Sequence, residues 1–146
     1  MKIRPAGVRD LDAWAAMRER LWPEAAATVH ELEARAMLEK PERWAAFVAE
    51  EELGRLVGFA EASLREDPLT IERVEIGFLE GWWVERHARR KRIGAQLIEA
   101  VEAWVRERGC TTIDSDAEID NVTSRRAHEA LGYVAQEESI RFRKKL

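Results

Sequence analysis

The chain has 146 residues, inside the usual range of one domain, and its 46% hydrophobic and 36% charged residues supply one core and a heavily charged surface, which excludes a disordered tail. Its 24 basic against 28 acidic residues give a net charge of −4, the wrong balance for a nucleic-acid-binding domain, whereas the acidic clusters suit a cationic partner. No apolar run approaches the ~20 residues of a membrane span, the start Met1-Lys2-Ile3-Arg4-Pro5 lacks the apolar stretch of a secretory signal, and one cysteine, Cys110, leaves no internal disulfide and no Cys-based zinc site. The expectation is a single cytoplasmic domain over 1–146 with no metal, no membrane and no nucleic acid.

Ile3 opens a short strand that Pro5 and Gly7 end. Asp10 then suits the N-cap of a helix in which Leu11, Trp14, Ala15, Leu21 and Trp22 recur at helical spacing, and Pro23 stops it. A second helix is expected from Val29 to Lys40, with Val29, Leu32, Ala36 and Met37 on one face. Two strands around Trp44–Glu50 and Leu56–Leu64 read as a hairpin joined near Gly54, and Arg65–Thr70, with Asp67-Pro68, reads as a loop. A long strand follows from about Val74 to Glu85. The clearest helix runs from Ile93 to Arg108: Ile93, Leu97, Ile98, Val101, Trp104 and Val105 form one stripe, and Gly109 stands at the C-cap. Thr111 to Asp116 is a strand, Asp120 or Asn121 caps a short helix ending at Leu131-Gly132, and Tyr133 to Phe142 suggests one or two closing strands. The order β-α-α-β-β-β-α-β-α-β predicts an α+β domain with a mixed central β-sheet flanked by helices.

Chemistry concentrates after the long strand. Arg89-Arg90-Lys91-Arg92-Ile93-Gly94-Ala95 is a basic turn that leads directly into the amphipathic helix. Unpaired N–H groups at a helix start suit a pyrophosphate, although no P-loop signature is present, and a solvated basic turn would read the same. With the following strand and the Asn-initiated helix ending in Leu131-Gly132-Tyr133, the arrangement resembles the GNAT superfamily of acyl-CoA-dependent N-acetyltransferases. The family motif Arg/Gln-x-x-Gly-x-Gly/Ala is matched by Arg89, Arg92 and Gly94. Arg92 replaces the first glycine, a substitution compatible with the turn if its dihedrals are ordinary. Leu21-Trp22-Pro23, Gly58-Phe59-Ala60, Phe78-Leu79-Glu80-Gly81, Gly109-Cys110, Ser115-Asp116, Asp120-Asn121, His128 to Tyr133 and Phe142-Arg143-Lys144-Lys145 are similar, in order, to the aminoglycoside 6′-N-acetyltransferases.

That resemblance implies the GNAT fold and direct transfer of the acetyl group of acetyl-CoA, in a ternary complex, to the 6′-amine of an aminoglycoside, with antibiotic resistance as the outcome. It implies that Arg89, Arg90, Lys91, Arg92, Ile93, Gly94 and Ala95 hold the pyrophosphate. Main-chain groups of Trp82, Trp83 and Val84 would bind the pantetheine arm and polarise the thioester, and Asn121 would bind the same arm. Glu80 would bind the drug and help remove the amine proton, and by strand alternation it shares a face with Trp82, Val74, Ile76 and Phe78. The bland reading of Glu80 is a structural salt bridge. Asp116 would contact the amine, Glu137 and Trp22 would bind substrate, and His128 would protonate the departing thiolate. Each has a plain alternative: an exposed carboxylate for Asp116 and Glu137, a core tryptophan for Trp22, a helix cap for Asn121, an idle histidine for His128. Cys110 has no task in direct transfer and fits an inert packed thiol. Relatives can carry a substrate-contacting tyrosine in the loop where this chain has Asp67-Pro68. Members commonly pair through their C-terminal strands, so a homodimer is expected, with Ile140 and Phe142 alternating against Arg141 and Arg143. Two other readings stand beside this one: a GNAT enzyme for a polyamine or protein amine, and a non-catalytic acyl-CoA-binding module. Turnover separates the module from the enzymes.

Overall fold

The computed structural model describes residues 1–117, 121–136 and 143–145. They fall into two compact units, Met1–Asp116 and Ala117–Leu146, each described by itself below. In the first, β1 (Lys2–Pro5), α1 (Leu11–Leu21), α2 (Ala27–Leu38), β2 (Trp44–Glu50), β3 (Leu56–Glu66), β4 (Glu75–Val84), α3 (Ile93–Glu107) and β5 (Ile113–Ser115) follow in sequence. The sheet keeps chain order, β1-β2-β3-β4-β5. Neighbours run antiparallel up to β4, and β5 joins β4 in parallel, so the expected mixed sheet is present.

Each face of this sheet buries a different helix set. On one side Leu11, Trp14 and Met17 of α1 and Ala34 of α2 pack with Ala46, Val48 and Phe59. On the other, the whole α3 stripe from Ile93 to Val105 is buried as its spacing predicts, and Gly77 accepts Val105 so closely that a Cβ there would lie 2.6 Å from its Cγ1. Gly109 ends α3 at φ 82°, the left-handed conformation that a helix-terminating glycine adopts at no steric cost. In the second unit α4 (Val122–Ala130) is capped by Asn121, whose side chain accepts from the Ser124 N–H at 3.0 Å. Tyr133–Gln136 is irregular, and the remainder of the expected closing strands, Glu137–Phe142, lies outside the described residues, as does Asp120.

Two local expectations are corrected. Asp10 does not cap α1 with its side chain. It accepts from the Gly7 N–H at 2.7 Å and from both Nη atoms of Arg4 at 2.8 and 2.9 Å, tying β1 to a 3₁₀ turn at Val8–Asp10. In α2 the inward face is not Val29 and Leu32, which are 41% and 66% exposed, but His30 and Ala34. A polar His30 can be buried because its Nε2 pairs with the Trp22 carbonyl at 2.9 Å, and the small Ala34 lets the helix approach the sheet.

The Arg4 guanidinium holds the Asp10 carboxyl below the usual carboxylate range. A lowered folded value stabilises the fold above the unfolded pKa, about pH 4, and that contribution is lost as pH falls through the folded value. Urea unfolding as a function of pH should show this acid decline in the parent. Arg4→Gln should cost about 3 kcal/mol at pH 7 and flatten the decline.

Candidate active site

A cleft of about 490 Å³ opens on the α1–α2 side of the sheet, lined among others by Trp22, Trp44, Arg18, Lys40, Glu33, Glu61 and Glu80. It gathers aromatic faces and carboxylates, the chemistry that receives a cationic, ring-bearing guest. Trp22 and Glu80, two of the residues expected from sequence, meet here.

Glu80 enters the cleft through an irregularity. Glu61 pairs with Gly81 and Ala62 with Leu79, so Glu80 has no opposite number on β3 and forms a bulge. The extra residue resets the alternation. Glu80 and Gly81 both turn toward α1, where Gly81 lies against Trp22 and Phe59, while Trp82 points the other way, against Gly94 at the start of α3. The expectation that Glu80 and Trp82 share a face is therefore corrected: it assumed an unbroken strand. Glu80 is also salt-bridged, as the bland reading had it. Its Oε1 accepts from the buried Ser63 hydroxyl at 2.7 Å and from Arg65 Nη2 at 2.6 Å, and Oε2 accepts from the same Nη2 at 2.8 Å. Glu80 is thus a salt-bridged carboxylate that also lines the cleft.

Trp22 is a packed tryptophan that borders the same cleft. Half-buried at the end of α1, its indole lies edge-on to Phe59, stacks on His30, and carries the Arg18 guanidinium 4.9 Å from its ring centre, yet it still lines the cleft. Gly81 is obligatory beneath it, since a Cβ there would come within 2.9 Å of the indole Cζ2 and closer to Cη2.

One site residue escaped the sequence reading. Glu61, in the middle of β3, is 1% exposed and accepts from Trp14 Nε1 at 2.8 Å and from Arg18, which also bonds Glu33. Burial pushes its carboxyl up, and Arg18 and Trp14 oppose that. The signal was present as a lone acid inside the apolar run Leu56-Val-Gly-Phe-Ala-Glu-Ala-Ser-Leu.

The basic turn lies where β4 passes into α3. β5 pairs with β4 only over Gly77–Leu79, and β4 continues past the end of β5 to Val84. Arg89 Nε donates to the Val84 carbonyl at 2.8 Å and its guanidinium sits 5.0 Å from the Trp83 ring centre, fixing the exit of the strand. Arg90 and Lys91 are exposed, Ile93 is buried, and Arg92 is the N-cap of α3 with no side-chain cap bond, so the first N–H groups of the helix, from Ile93 through Ala95, carry the positive end of its dipole. Gly94 makes room for Trp82, which a Cβ would approach to 3.0 Å. A narrow, positive, backbone-lined turn fits a pyrophosphate, and the adjoining strand fits its extended arm. The dihedrals of Arg92 are not ordinary: φ 61° and ψ 13° place it, like Arg90 at φ 65°, in the left-handed region. The turn thus demands at this position a left-handed backbone, which glycine would adopt at less cost.

Asp116 follows β5 and is exposed, as is Asp114. Cys110 is buried and its thiol pushed up by burial, the packed thiol expected. Within the second unit, His128 Nδ1 donates to the Ser124 carbonyl at 2.7 Å and the ring meets Tyr133 edge-on. Asn121 caps its helix. Glu137 lies outside the described residues. Among the described residues no group of three or more potential ligands could hold a metal ion, and no helix is long and apolar enough to cross a membrane.

The sequence profile of the acetyltransferase (GNAT) family matches residues 13–133. An aminoglycoside N(6′)-acetyltransferase type 1 of Serratia marcescens is 39% identical over 138 residues, 94% of each chain, and one of Klebsiella aerogenes is 38% identical over 99% of this chain and 96% of its own. Among solved structures, an aminoglycoside 6′-N-acetyltransferase of Acinetobacter haemolyticus superposes with a TM-score of 0.89 at 31% identity, covering 100% of this chain and 99% of that one. Another, captured with the bisubstrate analogue CoA-S-monomethyl-acetylneamine, gives 0.88 at 32% identity over 99% and 98%.

Two substitutions test the local geometry. Gly81→Ala should force Trp22 off its seat, lowering stability by about 1–3 kcal/mol in urea and raising tryptophan accessibility to acrylamide. Arg92→Gly should relieve the left-handed backbone and raise stability by about 0.5–1 kcal/mol, seen as a higher urea midpoint.

Proposed function

The chain belongs to the acetyltransferase (GNAT) family, and from that premise we propose that it moves the acetyl group of acetyl-CoA to the 6′-amine of aminoglycosides. The observation that carries the reading is the pairing of two sites of opposite character on one strand. At its bulge β4 presents Glu80 to an acidic, aromatic cleft, and at its end it leads into the cationic turn before α3. A polycationic amino sugar and a polyanionic coenzyme need those two environments side by side. Relatives named for this activity span nearly the full chain.

Acetyl-CoA supplies the activated acetyl group as a thioester. The turn from Arg89 through Ala95 (Arg89, Arg90, Lys91, Arg92, Ile93, Gly94, Ala95) holds its pyrophosphate with helix N–H groups and cationic side chains. Main-chain groups of Trp82, Trp83 and Val84 align the pantetheine arm, an N–H there polarising the carbonyl, and Asn121 adds a contact to the same arm. Trp22 packs on a sugar ring. Glu80 binds the incoming ammonium and takes its proton, directly or through water, so that a neutral amine attacks; Asp116 and Glu137 bind the remaining positive charge. His128 returns a proton to the departing sulfur. The family resemblance further supports a homodimer that works in the cytoplasm.

Thiol release from acetyl-CoA, followed with kanamycin and with an analogue bearing a 6′-hydroxyl, tests the assignment. Turnover with the amine and none with the hydroxyl is expected. Glu80→Gln, which keeps an acceptor for Ser63 and Arg65 but no charge, should lose about 10²-fold in kcat/KM. Equal rates with both drugs would move the acetylated position. Release from neither, with acetyl-CoA still bound, would indicate another amine or a module without chemistry.

A further inference from the structure

The carboxylate in the cleft is already occupied by a cation of the chain itself. Arg65 lies over Glu80 with Nε at 3.0 Å from Oε1 and Nη2 at 2.6 and 2.8 Å from the two oxygens. The same guanidinium stacks on the Phe78 ring, 3.6 Å from its centre. A planar cation resting on an aromatic face while paired with an acid is the arrangement an amino sugar would need to adopt there. The two holders of Glu80 differ in how firmly they are fixed. Ser63 is 3% exposed in the body of β3, whereas the Arg65 side chain is 49% exposed near the strand's end. If Arg65 swings into solvent, Ser63 keeps Glu80 aimed into the cleft and the Phe78 face is uncovered.

We propose that Arg65 is an internal competitor of the substrate ammonium at Glu80, a specificity-determining residue that weakens binding of every amine until the guest displaces it. A guest with one ammonium only exchanges one cation for another at Glu80. A guest with several gains further from Glu33, which lines the same cleft, is half-exposed and is held by Arg18 through Oε2 alone. Arg65 thereby biases the site toward polycations. The proposal rests on the acetyltransferase reading above and adds to it which residue sets the affinity for the amine.

The experiment compares the full-length parent, Arg65→Met and Arg65→Lys in steady-state kinetics with kanamycin and acetyl-CoA. Methionine keeps contact with Phe78 without a charge or a donor, while lysine keeps the charge without the fork. The exposed, bidentate geometry leads to an expected fall in KM for kanamycin of about fivefold in Arg65→Met, with kcat within twofold, KM for acetyl-CoA unchanged and the urea midpoint unchanged. Arg65→Lys should restore most of the parental KM. A merely structural Arg65 would move kcat and stability instead of KM for the amine alone. A KM for kanamycin that is unchanged or raised in a folded Arg65→Met enzyme overturns the proposal and leaves the acetyltransferase reading standing. No turnover by parent or variants overturns that reading and this proposal with it.

Discussion

The cleft depends on one buried ion network. Arg18 of α1 stands between Glu61 of β3 and Glu33 of α2, and Trp14, one helical turn earlier, donates to the same Glu61. A charge pair inside a core survives only when its hydrogen bonds are met, and removing one partner strands the other. The network therefore fixes how α1 lies on the sheet. Just past the end of α1, Trp22 is seated over Gly81 with Arg18 of the same network against its ring. The aromatic wall of the cleft is thus positioned from beneath by a buried ion network.

The second determinant is the bulge at Glu80. One unpaired residue changes which side chains reach which face, so β4 can line the cleft on one side of the sheet and pack on a helix on the other within three residues. Gly81 and Gly94 complete the arrangement by absence of side chain: one admits Trp22, the other Trp82. In the turn that follows, arginine replaces the expected glycine and still adopts the left-handed backbone, trading about 1–2 kcal/mol of local strain for an extra positive charge beside the start of α3.

Much of this was legible in residue order. The α3 stripe and its terminating Gly109 obey a helical period that nothing in the tertiary structure disturbs, and the expected β3 and β4 appear within a few residues of their bounds. The family resemblance pointed to Trp22 and Glu80, which the fold does bring together. What escaped depends on register or on partners. The bulge follows from the pairing of β3 with β4 and leaves no trace in alternation, so the side-chain directions of Glu80 and Trp82 were misjudged. The inward face of α2 was misjudged because hydropathy favours Val29 and Leu32, whereas a carbonyl acceptor from Trp22 makes His30 the buried residue. Asp10 was assigned to α1 because an acid before an apolar helix looks like a cap; its real partner, Arg4, lies on the preceding strand. Glu61 needed only the observation that an acid amid apolar residues must find a donor.

Cys110 bears on how this protein can be handled. It is the chain's one cysteine, buried behind α3 with a thiol that burial makes harder to ionise. Disulfide reagents therefore meet almost no background from the polypeptide, and any sulfhydryl that appears in solution comes from the coenzyme. The same silence makes the native sequence a ready host for site-specific labelling: a cysteine introduced beside the cleft would be the one reactive handle on the molecule, and a fluorophore placed there would report the arrival of a guest without prior removal of any native residue.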